Sequence, residues 1–157
     1  MGKINLALIG AGNVMTTRHI PALKKNKNLF NIIGIVDTDE GRLKIFADKF
    51  GISNRAIIEN ENCIKQIEWI SKVDAFIVAI PPNKHFKVVK ECLMLKKHVL
   101  VEKPFVCNIE QAKELVALAK DLQLILAIKF NFQYSKSFMS LESRLQKNEF
   151  GNILSTP

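Results

Sequence analysis

Residues 4–15 read INLALIGAGNVM, in which an apolar run leads directly into Gly10, Ala11 and Gly12. A short continuous apolar run predicts a strand that is covered on both faces, and a segment of helical periodicity follows the glycines. Two glycines at such a turn let the backbone bend tightly and approach a pyrophosphate, which amides at the helix start can hold. Met15 stands where this fingerprint has its third glycine, so a tight turn without a ligand stays an alternative.

The same alternation of short apolar runs and helical segments continues along the chain. It predicts strands over 4–9, 31–36, 56–58, 75–80, 98–101 and 124–128. It also predicts helices over 39–50, 61–70, 84–96 and 135–147, a helix capped by Asn108, and a helix over 14–23 that breaks near His19 because of Pro21. Alternating strands and helices are typical of an α/β fold with a doubly wound parallel sheet, here of six strands.

Composition excludes several classes of protein. The chain has 157 residues, of which 48% are hydrophobic and 24% charged, as in an ordinary globular domain and unlike disordered or collagen-like chains. The net charge of +8 is spread evenly, with 11 basic and 8 acidic residues in 1–80 and 12 and 7 in 81–157. The lysines of 84–97 therefore predict a solvated helix face, and binding of nucleic acid through that helix is the disfavoured alternative.

The cysteines and the longest apolar runs bear on location. Cys63, Cys92 and Cys107 are too far apart in sequence for a close-paired metal site or a CxxC motif, and their odd number favours a reducing compartment. No stretch approaches the roughly 20 apolar residues of a membrane span. We therefore predict a cytoplasmic protein with no metal site and no membrane partner.

Asp37 ends the second predicted strand, 25 residues after Gly12. A carboxylate at this position can accept hydrogen bonds from the hydroxyls of an adenine ribose. The interval exceeds the usual spacing of about 20 residues, and the extra segment 24–28 explains the difference. A carboxylate repels a 2′-phosphate and the neighbouring Thr38 supplies no cation, so NAD is favoured over NADP. A plain turn with a helix cap is the alternative for Asp37.

Two more groups of polar residues follow strands at the edge where open parallel sheets bind ligands. Asn83 and His85 lie in the PPNKH sequence of residues 81–85, and both are candidate cofactor contacts. Helix capping explains Asn83 equally well, and a partly exposed His85 needs no role. Lys103 can donate to a substrate hydroxyl or carbonyl and take part in proton transfer, while Glu102 can steady the ribose or the lysine. A surface ion pair is the alternative for these two residues.

Together these motifs resemble the N-terminal domain of the Gfo/Idh/MocA family of NAD(P)-dependent oxidoreductases. The matching segments are GAGNVM at 10–15, HIPAL at 19–23, VD at 36–37, DAFIVAIPPNKH at 74–85 and KHVLVEKP at 97–104. The Glu-Lys-Pro triplet is the most specific of them. The resemblance covers residues 3 to about 154.

The resemblance implies a Rossmann domain over residues 1–128. It implies that residues 129–157 form a connecting helix and the first strand, at 150–154, of an incomplete C-terminal α+β substrate domain. In that family a hydride moves between nicotinamide and a carbinol carbon of a sugar, polyol or related compound. Lys103 would face both the nicotinamide and the substrate. The residues implied to surround the dinucleotide are Gly10, Gly12, Asn13, Val14, Asp37, Pro81, Asn83, His85 and Glu102.

The sequence departs from the family after the cofactor domain. Family members usually carry an aspartate and a histidine in the second domain that bind substrate and move the proton, but the three histidines here are His19, His85 and His98. Asp121, the sole aspartate after Glu110, lies in a predicted helix of the first domain. We therefore expect a cofactor site without a complete substrate site, inactive alone, with any self-association made through the missing domain. The alternative is a natural single-domain dinucleotide sensor or scaffold.

Overall fold

Six parallel strands form one sheet in the computed structural model of the chain, which describes residues 2–58 and 61–151. The strands are β1 (Ile4–Ile9), β2 (Phe30–Asp37), β3 (Asn54–Ile57), β4 (Ala75–Val78), β5 (His98–Val101) and β6 (Leu126–Ile128). Their order in the sheet is β3-β2-β1-β4-β5-β6. The predicted six-stranded α/β sheet is confirmed, with several strand ends shifted by one or two residues. Residues 152–154 of the strand predicted over 150–154 lie outside the described residues.

Within residues 2–58 and 61–151, five α-helices connect or follow the strands: α1 (Ile20–Lys25), α2 (Glu40–Phe50), α3 (His85–Met94), α4 (Ile109–Asp121) and α5 (Lys136–Gln146). Polar side chains cap three of them. Asp39, Asn108 and Ser135 accept hydrogen bonds from the backbone N–H groups three residues later, at the starts of α2, α4 and α5. Gly51 ends α2 with a φ of 68°, a conformation that favours glycine. The predicted caps at Asn108 and Gly51 are both present.

The helix predicted over 61–70 is wrong in type, because this region forms two 3₁₀ segments, Glu61–Gln66 and Glu68–Lys72. Backbone hydrogen bonds span three residues from Ile67 to Ile64, from Ile70 to Ile67 and from Val73 to Ile70. Apolar residues spaced by three share one face of a helix with three residues per turn, whereas an α-helix rotates them apart. The spacing of these side chains accounts for the 3₁₀ geometry.

The helix around Pro21 changes type where a break was predicted. Residues 13–25 are helical throughout, with a π-helical segment, Met15–His19, ahead of α1. The Ile20 N–H donates to the carbonyl of Met15, five residues back. Pro21 has no N–H to donate, so the wider π turn carries the chain past the proline without interrupting the helix.

Helices cover both faces of the sheet. One core contains Leu8 and Ile35 of the sheet with Leu43 and Phe46 of α2, all at most 3% exposed. The second core, against α3 and α4, includes Phe76 of β4, Val89 and Leu93 of α3 and Leu115 of α4. With helices on both faces, the carboxyl ends of the strands form the open edge of the sheet.

Candidate functional site

The strand order reverses between β1 and β4, and open α/β sheets bind ligands in the crevice at such a reversal. An open cleft of about 460 Å³ lies there, at the carboxyl ends of β1, β2 and β4. Six of the ten residues predicted to form the site line this cleft: Gly10, Gly12, Asn13, Val14, Asp37 and Pro81.

The two glycines after β1 differ in whether the fold requires a residue without a side chain. Gly10 has a φ of +98°, and a Cβ built there would lie 2.3 Å from the carbonyl oxygen of Ala79, so the fold itself requires glycine. A Cβ on Gly12 would meet no atom of the described chain within 4 Å, and its φ is not in the left-handed region. The packing of the protein does not explain glycine at position 12. Its missing side chain leaves this part of the cleft open.

Asp37 connects the end of β2 to the glycine turn. Its Oδ2 accepts a 2.6 Å hydrogen bond from the backbone N–H of Ala11, and its Oδ1 accepts from the N–H of Asp39 at 3.0 Å. The carboxyl group is 7% exposed. Burial raises the pKa of Asp37, but these two hydrogen bonds and one from Arg42 outweigh it and hold the pKa below its usual value. The group is therefore a carboxylate at neutral pH, and the cap of α2 is Asp39 instead.

Arg42 is a residue of this cleft that the sequence did not indicate. Its Nη2 donates to Asp37 Oδ1 at 2.9 Å, and its side chain is 49% exposed. For cations near Asp37, the prediction of NAD over NADP took into account only that Thr38, the next residue in sequence, supplies none. Arg42 lies in the first turn of α2, and the helix brings it back to the carboxylate. The signal available in the sequence was a cation three residues after a capping Asp39.

The other four predicted residues, Asn83, His85, Glu102 and Lys103, do not line this cleft. Asn83 lies in a 3₁₀ turn, Pro82–Lys84, and α3 begins without a side-chain cap, so the capping alternative for Asn83 is wrong. His85 is 1% exposed, against the expectation of partial exposure. Lys103 is exposed, directly after Glu102 at the end of β5.

Glu102 lies beside His19 and the cation Lys129 instead of facing the cleft. Its Oε1 is 2.9 Å from Nε2 of His19 and 3.4 Å from Nζ of Lys129. Burial lowers the pKa of His19 and the nearby Lys129 lowers it further, while the hydrogen bond and charge of Glu102 offset part of this. His19 is therefore neutral at neutral pH and donates to Glu102 through Nε2.

None of the helices in residues 2–58 and 61–151 has the length and hydropathy of a transmembrane segment.

Comparison with known protein families gives one match that covers most of the chain. Residues 4–130 match a family described as "Oxidoreductase family, NAD-binding Rossmann fold". The chain is 31% identical over 150 residues to glucose-6-phosphate 3-dehydrogenase of Bacillus subtilis, which covers 96% of this chain and 40% of the relative. It is 29% identical over 154 residues to an uncharacterised oxidoreductase of Schizosaccharomyces pombe, covering 98% and 41%. The chain thus spans about two fifths of the length of these relatives.

Solved structures give the same result. The WlbA dehydrogenase of a Chromobacterium species, in complex with NADH and UDP-GlcNAcA, superposes with a TM-score of 0.83 at 25% identity. The match covers 95% of this chain and 41% of that protein. KijD10, a 3-ketoreductase from Actinomadura kijaniata in complex with NADP and TDP-benzene, superposes with a TM-score of 0.81 at 26% identity, covering 94% and 43%. Both relatives therefore hold a nicotinamide dinucleotide.

Proposed function

The chain belongs to the Gfo/Idh/MocA oxidoreductase family, and from that membership we propose that it forms the dinucleotide-binding part of an enzyme acting on a sugar-like substrate. The reaction would transfer a hydride between nicotinamide and a carbinol carbon of a sugar, polyol or related compound. The observation that carries the proposal is Gly12, a glycine that lines the cleft although the packing of the chain leaves space for a Cβ.

The residues of the cleft fit a dinucleotide. The backbone N–H groups at the start of the helical stretch 13–25 lack partners within the helix, so they can donate to a pyrophosphate beside Gly12. The Asp37 carboxylate can accept from ribose hydroxyls with its remaining lone pairs while it braces the amide of Ala11. Binding of NAD in preference to NADP follows from the charge of Asp37, and Arg42 partly offsets that preference.

Lys103 is the residue proposed to act on the substrate. The bound dinucleotide would supply the hydride acceptor or donor. Within the described chain the Lys103 ammonium forms no hydrogen bond or ion pair, so it is free to donate a proton to a substrate oxygen, and the neutral amine that this leaves can take the proton back. We propose that Asn83, His85 and Glu102 contribute to the site from the carboxyl ends of β4 and β5, although none of them lines the cleft.

We also propose that these 157 residues bind NAD without turning over a substrate. The family's proton-shuttling histidine has no counterpart among the three histidines, since each is bonded to a protein group. His19 donates to Glu102, His85 contacts backbone carbonyls, and His98 Nδ1 accepts from the N–H of Ile125.

We also propose a cytoplasmic location, which the free thiols of Cys92 and Cys107 support.

Titration of NADH and NADPH against the purified chain tests the proposal. Wild type is expected to bind NADH more tightly than NADPH. Gly12→Val fills the space beside the pyrophosphate and is expected to raise the NADH Kd at least tenfold, a loss of about 1.4 kcal/mol. Asp37→Ala is expected to weaken NADH binding and remove the preference for NADH.

Asp48→Ala is the matched control, because it removes an exposed carboxylate of α2 away from the cleft. Its Kd values should equal those of wild type. Urea unfolding of each variant separates loss of binding from loss of fold. The proposal is wrong if wild type binds neither dinucleotide, or if folded Gly12→Val and Asp37→Ala chains bind NADH as wild type does.

A further inference from the structure

The backbone around Lys103 is held by buried groups while its side chain is free. We use "the Lys103 segment" for residues 102–105, which leave the sheet after β5. Lys103 is exposed, whereas Glu102 before it and Phe105 after it are partly buried. A side chain that must meet a ligand in a fixed geometry needs a backbone fixed by its surroundings. The contacts of the segment show two such attachments, one on each side of Lys103.

His85 makes the attachment after Lys103. The imidazole is 1% exposed, and its Nδ1 lies 2.9 Å from the carbonyl oxygen of Pro104 and 3.1 Å from that of Phe105. Its Nε2 lies 2.9 Å from the carbonyl oxygen of Ile80, which lines the cleft. Carbonyl oxygens only accept and a neutral imidazole carries a single N–H, so the tautomer that bonds to the segment is the one with its proton on Nδ1. The ring thus bridges the exit of β4 and the Lys103 segment.

His19 makes the attachment before Lys103. It is 4% exposed, and its Nε2 donates to Glu102 Oε1 at 2.9 Å. The Lys129 ammonium, which follows β6, lies 3.4 Å from the same oxygen. Glu102 is thereby tied to the helical stretch 13–25 and to the end of β6. A partly buried carboxylate with two such partners has little freedom to move.

We propose that His19 and His85 are positioning residues for Lys103, holding the backbone on either side of it through Glu102 and through the carbonyls of Pro104 and Phe105. The proposal rests on the proposed role of Lys103 in contacting substrate. It differs from a cofactor-contact role for His85, since the ring is almost fully buried and both of its nitrogens already face protein carbonyls.

The two histidines use different ring nitrogens toward the Lys103 segment, which gives a reciprocal test. An asparagine side chain carries its amide nitrogen near the position of Nδ1, and a glutamine near that of Nε2. At position 85 the bond to the segment comes from Nδ1, so His85→Asn keeps a donor there and His85→Gln loses it. At position 19 the bond comes from Nε2, so His19→Gln keeps the donor and His19→Asn loses it.

The readout is the ¹⁵N order parameter of the Lys103 amide, measured by NMR on the 157-residue chain. Wild type, His85→Asn and His19→Gln are expected to give a rigid value near 0.85. His85→Gln and His19→Asn are expected to fall to about 0.6 or below. If the two histidines only filled space, the order parameter would depend on side-chain size. Asparagine and glutamine would then rank in the same order at both positions. Equal order parameters in all four variants would overturn the proposal.

A measurement on wild type covers the case in which a variant fails to fold. Ring ¹⁵N spectra are expected to show a proton on Nδ1 of His85 and on Nε2 of His19, and its absence at either nitrogen contradicts the proposal. NADH titration of the same samples separates the two hypotheses. Failure of wild type to bind NADH contradicts the proposed function, whereas NADH binding with an unchanged Lys103 amide in all variants contradicts the positioning role alone.

Discussion

Glycine serves three different needs in this chain, and only one of them points to a ligand. Gly10 has a left-handed φ and lies against the carbonyl of Ala79. Gly34 has no such φ, but a Cβ there would lie 2.7 Å from the ring of Trp69. Gly12 has neither constraint and lines the cleft. Glycine at the first two positions preserves the fold, whereas at position 12 it leaves open space in the cleft where we propose that the dinucleotide binds.

His19 makes the stability of the chain depend on pH near neutrality. Burial lowers its pKa in the folded state, so as pH falls below about 6.5 the unfolded chain takes up a proton that the folded chain does not. The contribution of His19 to the free energy of unfolding is therefore complete above pH 6.5, and it is lost as the pH falls through the pKa of the folded state. We expect the free energy of unfolding to fall between pH 7 and pH 5, by at most about 1.4 kcal/mol per pH unit from this group.

Urea unfolding at pH 7.5, 6.5, 5.8 and 5.0 measures this dependence. His19→Gln keeps the donor to Glu102 but cannot titrate, so its stability should change less over the same range. Asp37, whose pKa is also lowered, acts in a separate window, because its contribution is lost only at pH below its usual value. Identical slopes for wild type and His19→Gln between pH 6.5 and 5.0 would contradict the assignment.

At the scale of single elements, α4 and α5 begin with the same kind of cap but differ in what they bury. Asn108 caps α4, which contributes Leu115 and Ala119 to the core. Ser135 caps α5, in which no residue is buried. The loss of a cap lowers the stability of the whole chain only where the helix unfolds together with the core. The two helices therefore predict different outcomes for the same kind of substitution.

Asn108→Ala is expected to lower the free energy of unfolding by about 1 kcal/mol, because the N–H of Gln111 loses its acceptor. Asn108→Asp retains an acceptor and should remain close to wild type. Ser135→Ala removes the matching bond to Phe138 but should change global stability by less than about 0.5 kcal/mol. Urea unfolding followed by far-UV circular dichroism compares the three variants. A loss of equal size at both caps would show that α5 unfolds with the core.

The elements themselves could be predicted from sequence better than their geometry. Apolar runs located all six strands, and Asn108 and Gly51 located helix ends, because these signals are local. The helix predicted over 61–70 failed because its isoleucines are spaced by three, which suits a 3₁₀ segment better than an α-helix. The positions of His85, Glu102 and Arg42 could not be predicted either. Each of these side chains is placed by a partner across the fold or one helical turn away, and the sequence does not specify such rotamers.

At the scale of the whole molecule, the described residues leave one apolar surface of the sheet open. The face that carries α1 and α2 has an apolar cavity of about 510 Å³ over β4, β5 and β6, lined by Ile77, Leu100 and Ile128 among others. The described part of α5 also exposes Phe138, Met139 and Leu141, each by at least 45%. The core of the six-stranded sheet is thus built from residues that precede position 130.

Removal of residues 131–157 should therefore leave the dinucleotide-binding fold intact. All six strands, α1 to α4 and the cleft remain, and α5 takes no buried residue with it. We expect a chain of residues 1–130 to unfold within about 0.5 kcal/mol of the 157-residue chain. Its NADH Kd should lie within twofold of that of the 157-residue chain, because none of the described residues after Val88 lines the cleft. Urea unfolding and NADH titration of the two chains test this, with binding of a hydrophobic dye as a third readout.

Dye binding should fall with the loss of the exposed side chains of α5. A loss of more than about 2 kcal/mol would instead mean that the segment after position 130 packs on the open sheet face, since burying two or three large apolar side chains there gives a contribution of that size.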